Sequence, residues 1–334
     1  MTQTYIYVSC ADSREIDVFS LDVASGQTAL LQRLFVADSP LPMRVSPDKR
    51  FLLVGTRGES ALLTCAIDPA SGELARLGSV PSAGGATYVS CDLAMRTAFV
   101  ASYGDNLLAT FPLDADGRPL PGGQVESALP RAHAALMDAT NRWLLVPMLG
   151  ADAIRVYRLG NDGRIEPNVP PLAMARPGSG PRHLVFSPDN RHVHCLNELD
   201  GSIDLFDFDA ASGMLELRQS VSMMPHGFAG APWAAELRAT PDGRFLFATD
   251  RRSSTLAVFS VDPQNGALAL FGHYPTEEQP RGMAVDPSGR WLAVAGQLSG
   301  RMTVYEIDPE TGCPKERFRQ TTGENPICVE IVAF

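Results

Sequence analysis

The sequence predicts an all-β fold, a seven-bladed β-propeller built from four-stranded antiparallel blades. Two recurring patterns predict it. A turn that ends in arginine and leads into an apolar strand returns every 46 to 53 residues, and an alternating strand followed by a glycine-containing turn occurs seven times. Four strands in a period of forty-odd residues are typical of a propeller blade. We therefore expect residues 1–334 to form a single domain.

The first pattern is a tight turn of the Pro-Asp-Gly type, as in residues 46–50, 187–191 and 240–244. Such turns connect neighbouring antiparallel strands, so each unit should contain a hairpin. The arginines that end these turns are Arg50, Arg96, Arg142, Arg191, Arg244 and Arg290.

The second pattern marks the outer part of each unit. An alternating strand such as residues 16–19 or 203–206 is followed by a turn that contains glycine. The seven turn glycines are Gly26, Gly72, Gly117, Gly163, Gly213, Gly266 and Gly312. We expect seven blades.

The two ends of the sequence match complementary strands of one blade. Residues 5–8 have the pattern of a second strand, and residues 328–332 have the pattern of a first strand. Pairing them would complete the seventh blade and remove the open sheet edges that a ring has to avoid. The sequence predicts that the ring is closed by its N- and C-terminal strands.

Charge and composition limit the function classes. The chain has 28 Lys and Arg against 38 Asp and Glu, a net charge of −10. This excess of acid argues against nucleic acid as a partner but not against a small anion held by a few arginines. The six cysteines are scattered and predict neither a metal site nor disulfides. We expect no cofactor, no metal, no membrane span, a cytoplasmic location, and a monomer or weak homodimer.

Polar residues recur where the repeats should meet the central channel. The residues nine before each turn arginine and seven after it should lie at the same mouth of the channel, because a hairpin connects the strands that carry them. The ionisable or polar residues at these positions are His133, Arg182, Arg281, Arg57, Tyr103, Glu198, Arg251 and Gln297. Four arginines near one glutamate repel one another unless a bound anion compensates their positive charge. The pattern predicts an anion-binding site.

Other histidines and aromatic residues are weaker candidates. His183, His192 and His194 lie close together in sequence, but strand alternation makes packing a better interpretation than metal binding. Trp233 and Glu236 follow the longest segment between blades, and Trp233 could cover the mouth.

Several segments give the chain a resemblance to a known family. Gly180-Pro181-Arg182-His183, Asn197-Glu198-Leu199 and Gln279-Pro280-Arg281-Gly282 resemble segments of the β-propeller lactonases, and within them the bacterial propeller-type 6-phosphogluconolactonases. The resemblance implies a metal-independent hydrolase of 6-phospho-D-glucono-1,5-lactone. Its implied catalytic residues are His133, Arg182, Glu198 and Arg251. The implied substrate-binding residues are Arg57, Tyr103, His183, Trp233, Glu236, Arg281 and Gln297.

Three alternatives stay open. Leu298 stands where a basic residue would help to hold a phosphate, which favours an unphosphorylated aldaric-acid lactone such as galactaro- or glucarolactone. The family also contains muconate-lactonising cycloisomerases, whose active-site residues resemble the same four positions. A non-enzymatic propeller that presents a face to a protein partner is the third alternative. The sequence does not choose between Glu198 and His133 as the base.

Overall fold

Seven four-stranded antiparallel sheets make up the computed structural model, which describes residues 3–36 and 38–334. The chain begins in blade 7 with β1 (Thr4–Cys10), β2 (Glu15–Leu21) and β3 (Thr28–Phe35). Blade 1 then contains β4 (Ser39–Val45), β5 (Phe51–Arg57), β6 (Ala61–Ile67) and β7 (Leu74–Pro81). Blade 2 contains β8 (Tyr88–Cys91), β9 (Thr97–Ser102), β10 (Leu107–Pro112) and β11 (Val125–Glu126). Blade 3 contains β12 (Leu136–Met137), β13 (Trp143–Met148), β14 (Ala153–Leu159) and β15 (Ile165–Met174).

The remaining blades follow the same order, with the innermost strand first. Blade 4 contains β16 (Pro181–Phe186), β17 (His192–Asn197), β18 (Ser202–Asp209) and β19 (Met214–Ser222). Blade 5 contains β20 (Ala234–Ala239), β21 (Phe245–Asp250), β22 (Thr255–Val261) and β23 (Leu268–Pro275). Blade 6 contains β24 (Pro280–Val285), β25 (Trp291–Gly296), β26 (Arg301–Ile307) and β27 (Pro314–Thr321), and β28 (Pro326–Ala333) returns to blade 7.

The ring is closed as the sequence predicts. Strand β1 pairs with β2 on one side and with β28 on the other, and Tyr5 lies opposite Val332. All seven residues of β1 are buried. The blade that joins the two ends therefore has the same four-stranded order as the others, and the predicted fold is confirmed.

The hydrophobic core lies between neighbouring blades. Tyr7 and Ile16 of blade 7, for example, pack in one cluster with Leu52 and Leu63 of blade 1. The seven predicted turn glycines all have positive φ, the conformation that glycine adopts at least cost. A Cβ atom on Gly213 would also lie 2.6 Å from the ring of Trp143, so this turn packs flat on an indole of the preceding blade.

The innermost strands are irregular at the end where they enter the channel. In β16 the pairing with β17 shifts between Pro181 and His183, so Arg182 is an extra residue in the strand. The same one-residue bulge occurs at Arg281 in β24 and at Ile327 in β28. A bulge re-aims the side chain that it carries, and bulges are common beside active sites. Five of the seven innermost strands carry one, and the others, β8 and β12, are short.

Helix is nearly absent from the described part of the chain. One turn of 3₁₀ helix, Leu149–Ala151, follows β13. Among residues 3–36 and 38–334, no helix has the length and apolarity that crossing a membrane requires.

Candidate active site

The predicted mouth residues lie on one face of the ring. Arg182 comes from the bulge at the start of β16, and Glu198 follows directly after the end of β17. The backbone N–H of Glu198 donates to the carbonyl of Gly180, and that of Arg251 donates to the carbonyl of Trp233 in the next blade. The equivalent N–H of Gln297 donates to Gln279. The hairpin register therefore brings both predicted sets of residues to the same edge.

Glu198 connects two of the arginines. Its Oε2 atom accepts a hydrogen bond from Nε of Arg182 at 2.7 Å and another from Nη2 of Arg251 at 2.9 Å. Arg182 is 1% exposed and Glu198 is 9% exposed, so this triad is removed from bulk water. Burial raises the pKa of Glu198, but Arg182 and Arg251 lower it by more, and the carboxylate stays ionised.

Several contacts fix the position of the Arg251 side chain. Its guanidinium lies 3.9 Å from the ring centre of Trp233, and its Nη2 atom also donates to the carbonyl of Ala234 at 3.1 Å. Asp250 fixes the neighbouring backbone, because its Oδ2 atom accepts from the N–H of Trp233 at 2.6 Å. Trp233 thus contacts the site through Arg251, and its ring is half-buried. A guanidinium stacked in this way has little freedom to change its direction.

His133 enters the channel from the segment before β12. Its ring makes edge contacts with Tyr103 and His183, at centroid separations of 5.9 and 5.2 Å. Burial and the nearby Arg182 lower the pKa of His133 well below its ordinary value, so the imidazole is neutral at pH 7. Its Nδ1 atom is buried without a hydrogen-bond partner among the described residues. The other ring nitrogen, Nε2, is the one that can meet a ligand.

Two further arginines lack a protein partner. The side chains of Arg281 and Arg57 make no hydrogen bond or ion pair within residues 3–36 and 38–334, and Arg57 is exposed. Burial, Arg182 and Arg57 lower the pKa of Arg281, which places these cations within electrostatic reach of one another. Burial and Arg182 likewise lower the pKa of Arg251. The mouth therefore holds four arginines, with Glu198 bonded to two of them and Asp105 within electrostatic reach of Arg57, and this excess of positive charge favours an anionic ligand.

A second polar layer lies deeper in the channel, below Arg182. His183 and Glu236, both predicted from the sequence, are in this layer and are bonded to each other, with 2.7 Å between Nδ1 and Oε1. They line a cavity of about 30 Å³ together with Tyr88, Arg44 and other residues. A polar cavity of this size has room for one or two waters and not for a sugar lactone.

Three charged residues of this layer, Arg44, Arg238 and Glu330, were not predicted from the sequence. Arg44 and Arg238 each lie within 3.7 Å of Glu330, and Nη2 of Arg44 donates to the Tyr88 hydroxyl at 2.8 Å. The signal was available, since Arg44 and Arg238 occupy the same register position, six residues before a turn arginine. Most other copies are apolar at that position, and a count there would have found the pair.

Other candidate residues lie as follows. The side chain of Gln297 connects Gln279 and Asn325, at 3.3 and 2.8 Å, across the boundary of blades 6 and 7. Nε2 of His194 donates to the Gly266 carbonyl at 2.8 Å, and His192 packs against the same turn. In the described ranges no three His, Cys, Asp or Glu side chains are grouped so that they could hold a metal ion.

Comparison with known proteins decides the family. The model of the lactonase family with a seven-bladed β-propeller matches residues 4–331. The chain belongs to this lactonase family. Among curated relatives, the 6-phosphogluconolactonase of Pectobacterium carotovorum is 39% identical over 332 residues, which cover 99% of each chain. That of Cronobacter sakazakii is 39% identical over 334 residues, 100% of this chain and 99% of the relative.

A solved structure supports the same family. The periplasmic gluconolactonase PpgL of Pseudomonas aeruginosa superposes with a TM-score of 0.92 at 29% identity, covering 99% of both chains. The family is thus the one that the sequence segments around Arg182, Glu198 and Arg281 resemble.

Hydrolysis by a lactonase makes three chemical demands that this site can meet. Water has to lose a proton as it attacks the carbonyl, the oxyanion has to be stabilised, and the ring oxygen has to gain a proton as it leaves. The guanidinium groups of Arg182 and Arg251 stay charged and are already fixed in place by Glu198. Neutral His133 can accept a proton and return it.

Proposed function

We propose that this lactonase hydrolyses 6-phospho-D-glucono-1,5-lactone to 6-phosphogluconate without a metal ion. One observation carries the proposal, namely the uncompensated positive charge at the mouth of the channel. Neither Arg57 nor Arg281 has a hydrogen-bond or ion-pair partner in the described chain. Arg281 lies within electrostatic reach of Arg182, Glu198 and Arg251, and Arg57 lies within electrostatic reach of Arg281. A phosphate dianion would balance these charges and accept forked hydrogen bonds from the guanidinium groups.

The proposed reaction divides the site into two parts. Arg281 and Arg57 bind the phosphate, while Arg182 and Arg251 donate to the carbonyl oxygen as it becomes an oxyanion. His133 takes a proton from the attacking water and, as the C–O bond of the ring breaks, gives it to the leaving oxygen. Protons and charge balance over the cycle, because the imidazole ends neutral.

Support for His133 as the base comes from its surroundings. The Oε2 atom of Glu198 already accepts hydrogen bonds from two arginines, so this oxygen is occupied in holding them. Since His133 is neutral at pH 7, it enters the reaction able to accept a proton. We assign Glu198 the role of holding the two arginines in a fixed geometry.

Names of relatives also favour the phosphorylated substrate. The two curated relatives at 39% identity are called 6-phosphogluconolactonases and match this chain over nearly its whole length. We further propose that the enzyme acts in the cytoplasm as a monomer or weak homodimer, in keeping with six cysteines that are all free thiols.

A second candidate substrate is an unphosphorylated sugar-acid lactone. The relative with a TM-score of 0.92 is named a gluconolactonase, without a phosphate. In this chain Leu298 follows Gln297 directly and is 65% exposed, so an apolar side chain stands where a cation could reach a phosphate. An aldaric-acid lactone, which carries one carboxylate, would need fewer of the arginines.

The test is a comparison of kcat/KM for phosphogluconolactone, gluconolactone, glucarolactone and galactarolactone below pH 7, where spontaneous ring opening is slow. We expect phosphogluconolactone to be preferred by at least about 100-fold, which corresponds to about 2.7 kcal/mol of transition-state binding. Full activity after chelation is expected as well. A hundredfold preference for an aldarolactone would promote the second candidate, and loss of activity on chelation would overturn metal independence.

Replacing Arg281 tests the phosphate contact. Arg281→Gln should raise the KM for phosphogluconolactone by about 10- to 100-fold, as expected for a lost charged hydrogen bond, and change the KM for gluconolactone little. The matched control is Arg158→Gln, which removes an exposed arginine that pairs with Glu166 on the outside of blade 3. Equal effects of Arg281→Gln on both substrates would exclude a phosphate contact, and no hydrolysis of any lactone would favour a binding scaffold.

A further inference from the structure

We propose that Glu236 and His183 form a positioning pair that fixes the guanidinium of Arg182 from below, without touching the substrate. The inference rests on the proposed lactone hydrolysis and assigns these residues a role different from the substrate contact that the sequence predicts. It concerns a chain of three bonded side chains that runs from the second polar layer up to the mouth.

The geometry of the chain is continuous. Oε1 of Glu236 lies 2.7 Å from Nδ1 of His183, and Nε2 of the same ring lies 3.2 Å from Nη1 of Arg182. The three residues are 5%, 7% and 1% exposed, so water does not compete for these bonds. The cavity of about 30 Å³ that Glu236 and His183 line together with Arg182 and Arg281 is too small for a lactone.

Only one tautomer of His183 fits both neighbours. The Glu236 carboxylate can only accept, so Nδ1 must carry the proton; Nη1 of Arg182 can only donate, so Nε2 must present its lone pair. Burial lowers the pKa of His183 to about 4 despite the opposing effect of Glu236, and the ring is neutral at pH 7. Besides Glu236 and Arg182, the rings of Tyr88 and His133 face it, and Arg238 lies within electrostatic reach.

Glu236 is itself held in its ionised form. Burial raises its pKa, but Arg238 and His183 bring it down to about 2. Nη1 of Arg238 lies 3.5 Å from Oε1, and the same oxygen accepts from the N–H of Leu237 at 3.2 Å. The charges of this layer balance, with Arg44 and Arg238 against Glu236 and Glu330, whereas the mouth above has an excess of arginine. The layer is therefore built as a support rather than as an anion site.

One nitrogen of the Arg182 guanidinium remains without a hydrogen bond in the described chain, and this nitrogen can act on the substrate. Nε of Arg182 donates to Glu198, and Nη1 faces His183. Nη2 has no hydrogen-bond partner within the described residues, so its two N–H groups are the ones that can reach the substrate carbonyl. Glu198 and His183 both accept from the planar guanidinium of Arg182, and together they set the direction of the Nη2 donors. A misplacement of about 1 Å in such a donor costs up to about 100-fold in rate.

The test is a double-mutant cycle measured on a folded, active enzyme. Glu236→Gln should lower kcat by about 10- to 100-fold on phosphorylated and unphosphorylated lactones alike, with KM changed less than about threefold. Arg182→Ala should cost about 100- to 1,000-fold. In the double variant the Glu236→Gln effect should disappear, because its route through Arg182 is gone. The control Glu277→Gln removes an equally buried carboxylate, which pairs with Arg319 away from the channel, and should leave kcat within twofold.

Two results would overturn the inference. One is a Glu236→Gln enzyme with wild-type kcat, and the other is a double variant in which the two losses in kcat multiply. A second measurement does not depend on variants that fold: ¹⁵N NMR of the wild-type protein at pH 7 should show His183 with Nδ1 protonated and Nε2 bare, and the opposite tautomer would contradict the proposal. A wild-type protein that hydrolyses no lactone would instead refute the proposed function and leave the NMR result standing.

Discussion

Three histidines are kept neutral by the interior of the propeller. Burial is the largest cause of the lowered pKa at each of His133, His183 and His194. At His133 and His183 the guanidinium of Arg182 adds to the effect, while His194 faces only the Gly266 carbonyl and His192. Each of them binds a proton far less readily in the folded protein than in the unfolded chain.

This difference predicts that acid destabilises the fold well before the carboxylates titrate. Between the unfolded value of about 6.5 and the folded value, which is about 4 for His183, only the unfolded chain binds the proton. The free energy of unfolding should therefore fall as pH drops through this window, by up to about 1.4 kcal/mol per pH unit for each histidine. Urea unfolding at pH 7, 6 and 5 measures how steeply the free energy of unfolding changes with pH.

His194 offers a clean variant, because it lies outside the site. His194→Gln should reduce the proton uptake on unfolding between pH 6 and 5, because burial lowers the pKa of His194 in the folded protein. His226→Gln, which removes an exposed imidazole from a loop, is the control variant. An unchanged slope for His194→Gln would show that burial of this ring has no influence on acid stability.

At the scale of the element, the inner turns fasten one blade to the next. Asn190 has a φ of 59°, its Nδ2 atom donates to Oδ2 of Asp138 at 3.0 Å, and its Oδ1 accepts from the N–H of Ala139 at 3.1 Å. Asn141 makes the same pair of bonds to the turn of the blade before it. Asparagine suits the position because it tolerates a left-handed conformation and carries both a donor and an acceptor.

Two substitutions at Asn190 separate these contributions. Asn190→Gly keeps the backbone conformation and loses two hydrogen bonds, which should lower the free energy of unfolding by about 2 kcal/mol. Asn190→Ala loses the same bonds and also places a Cβ atom at positive φ, which should cost about 1 kcal/mol more. Urea denaturation of both variants gives the difference. Equal stabilities would mean that the backbone conformation relaxes in the alanine variant.

The elements were predictable from sequence, but the bulges within them were not. Turn residues and apolar alternation repeat seven times, and each repeat strengthens the assignment of the others. A bulge shifts the pairing by one residue and leaves no compositional mark, so counting from Arg191 identified Arg182 without showing that His183 turns into the channel as well. Glu236 was expected to bind the substrate. Its bond to His183 depends on two bulged strands of different blades, a contact that no local pattern contains.

At the scale of the whole molecule, four of the six turn arginines that first revealed the repeat connect adjacent blades. Nη2 of Arg244 donates to the Pro309 carbonyl of the next blade at 2.6 Å, and Nη1 of Arg290 donates to Val23 at 3.0 Å. Arg50 and Arg96 reach the neighbouring blade at 3.4 and 3.3 Å. The repeating residue is thus a device for joining blades on the face opposite the site.

Arg244 and Arg191 form a matched pair for testing this role. Both occupy the same turn position and bond to an aspartate of their own turn, but the hydrogen bonds of Arg191 stay within that turn in the described chain. Arg244→Ala should therefore lower the free energy of unfolding by about 1 kcal/mol, the value of one hydrogen bond. Arg191→Ala should change it by less than about 0.5 kcal/mol. Equal losses would assign the effect to the turn and not to the contact between blades.

The pairing of β1 with β28 also sets the order of events during biosynthesis. The strand Thr4–Cys10 is synthesised long before its second partner, Pro326–Ala333, because the two lie far apart along the chain. Until then the nascent chain carries an unpaired strand edge whose side chains are all destined for the interior. Such edges are sites of aggregation and of chaperone binding. The closure that protects the finished ring therefore leaves one edge of β1 exposed until β28 has been made.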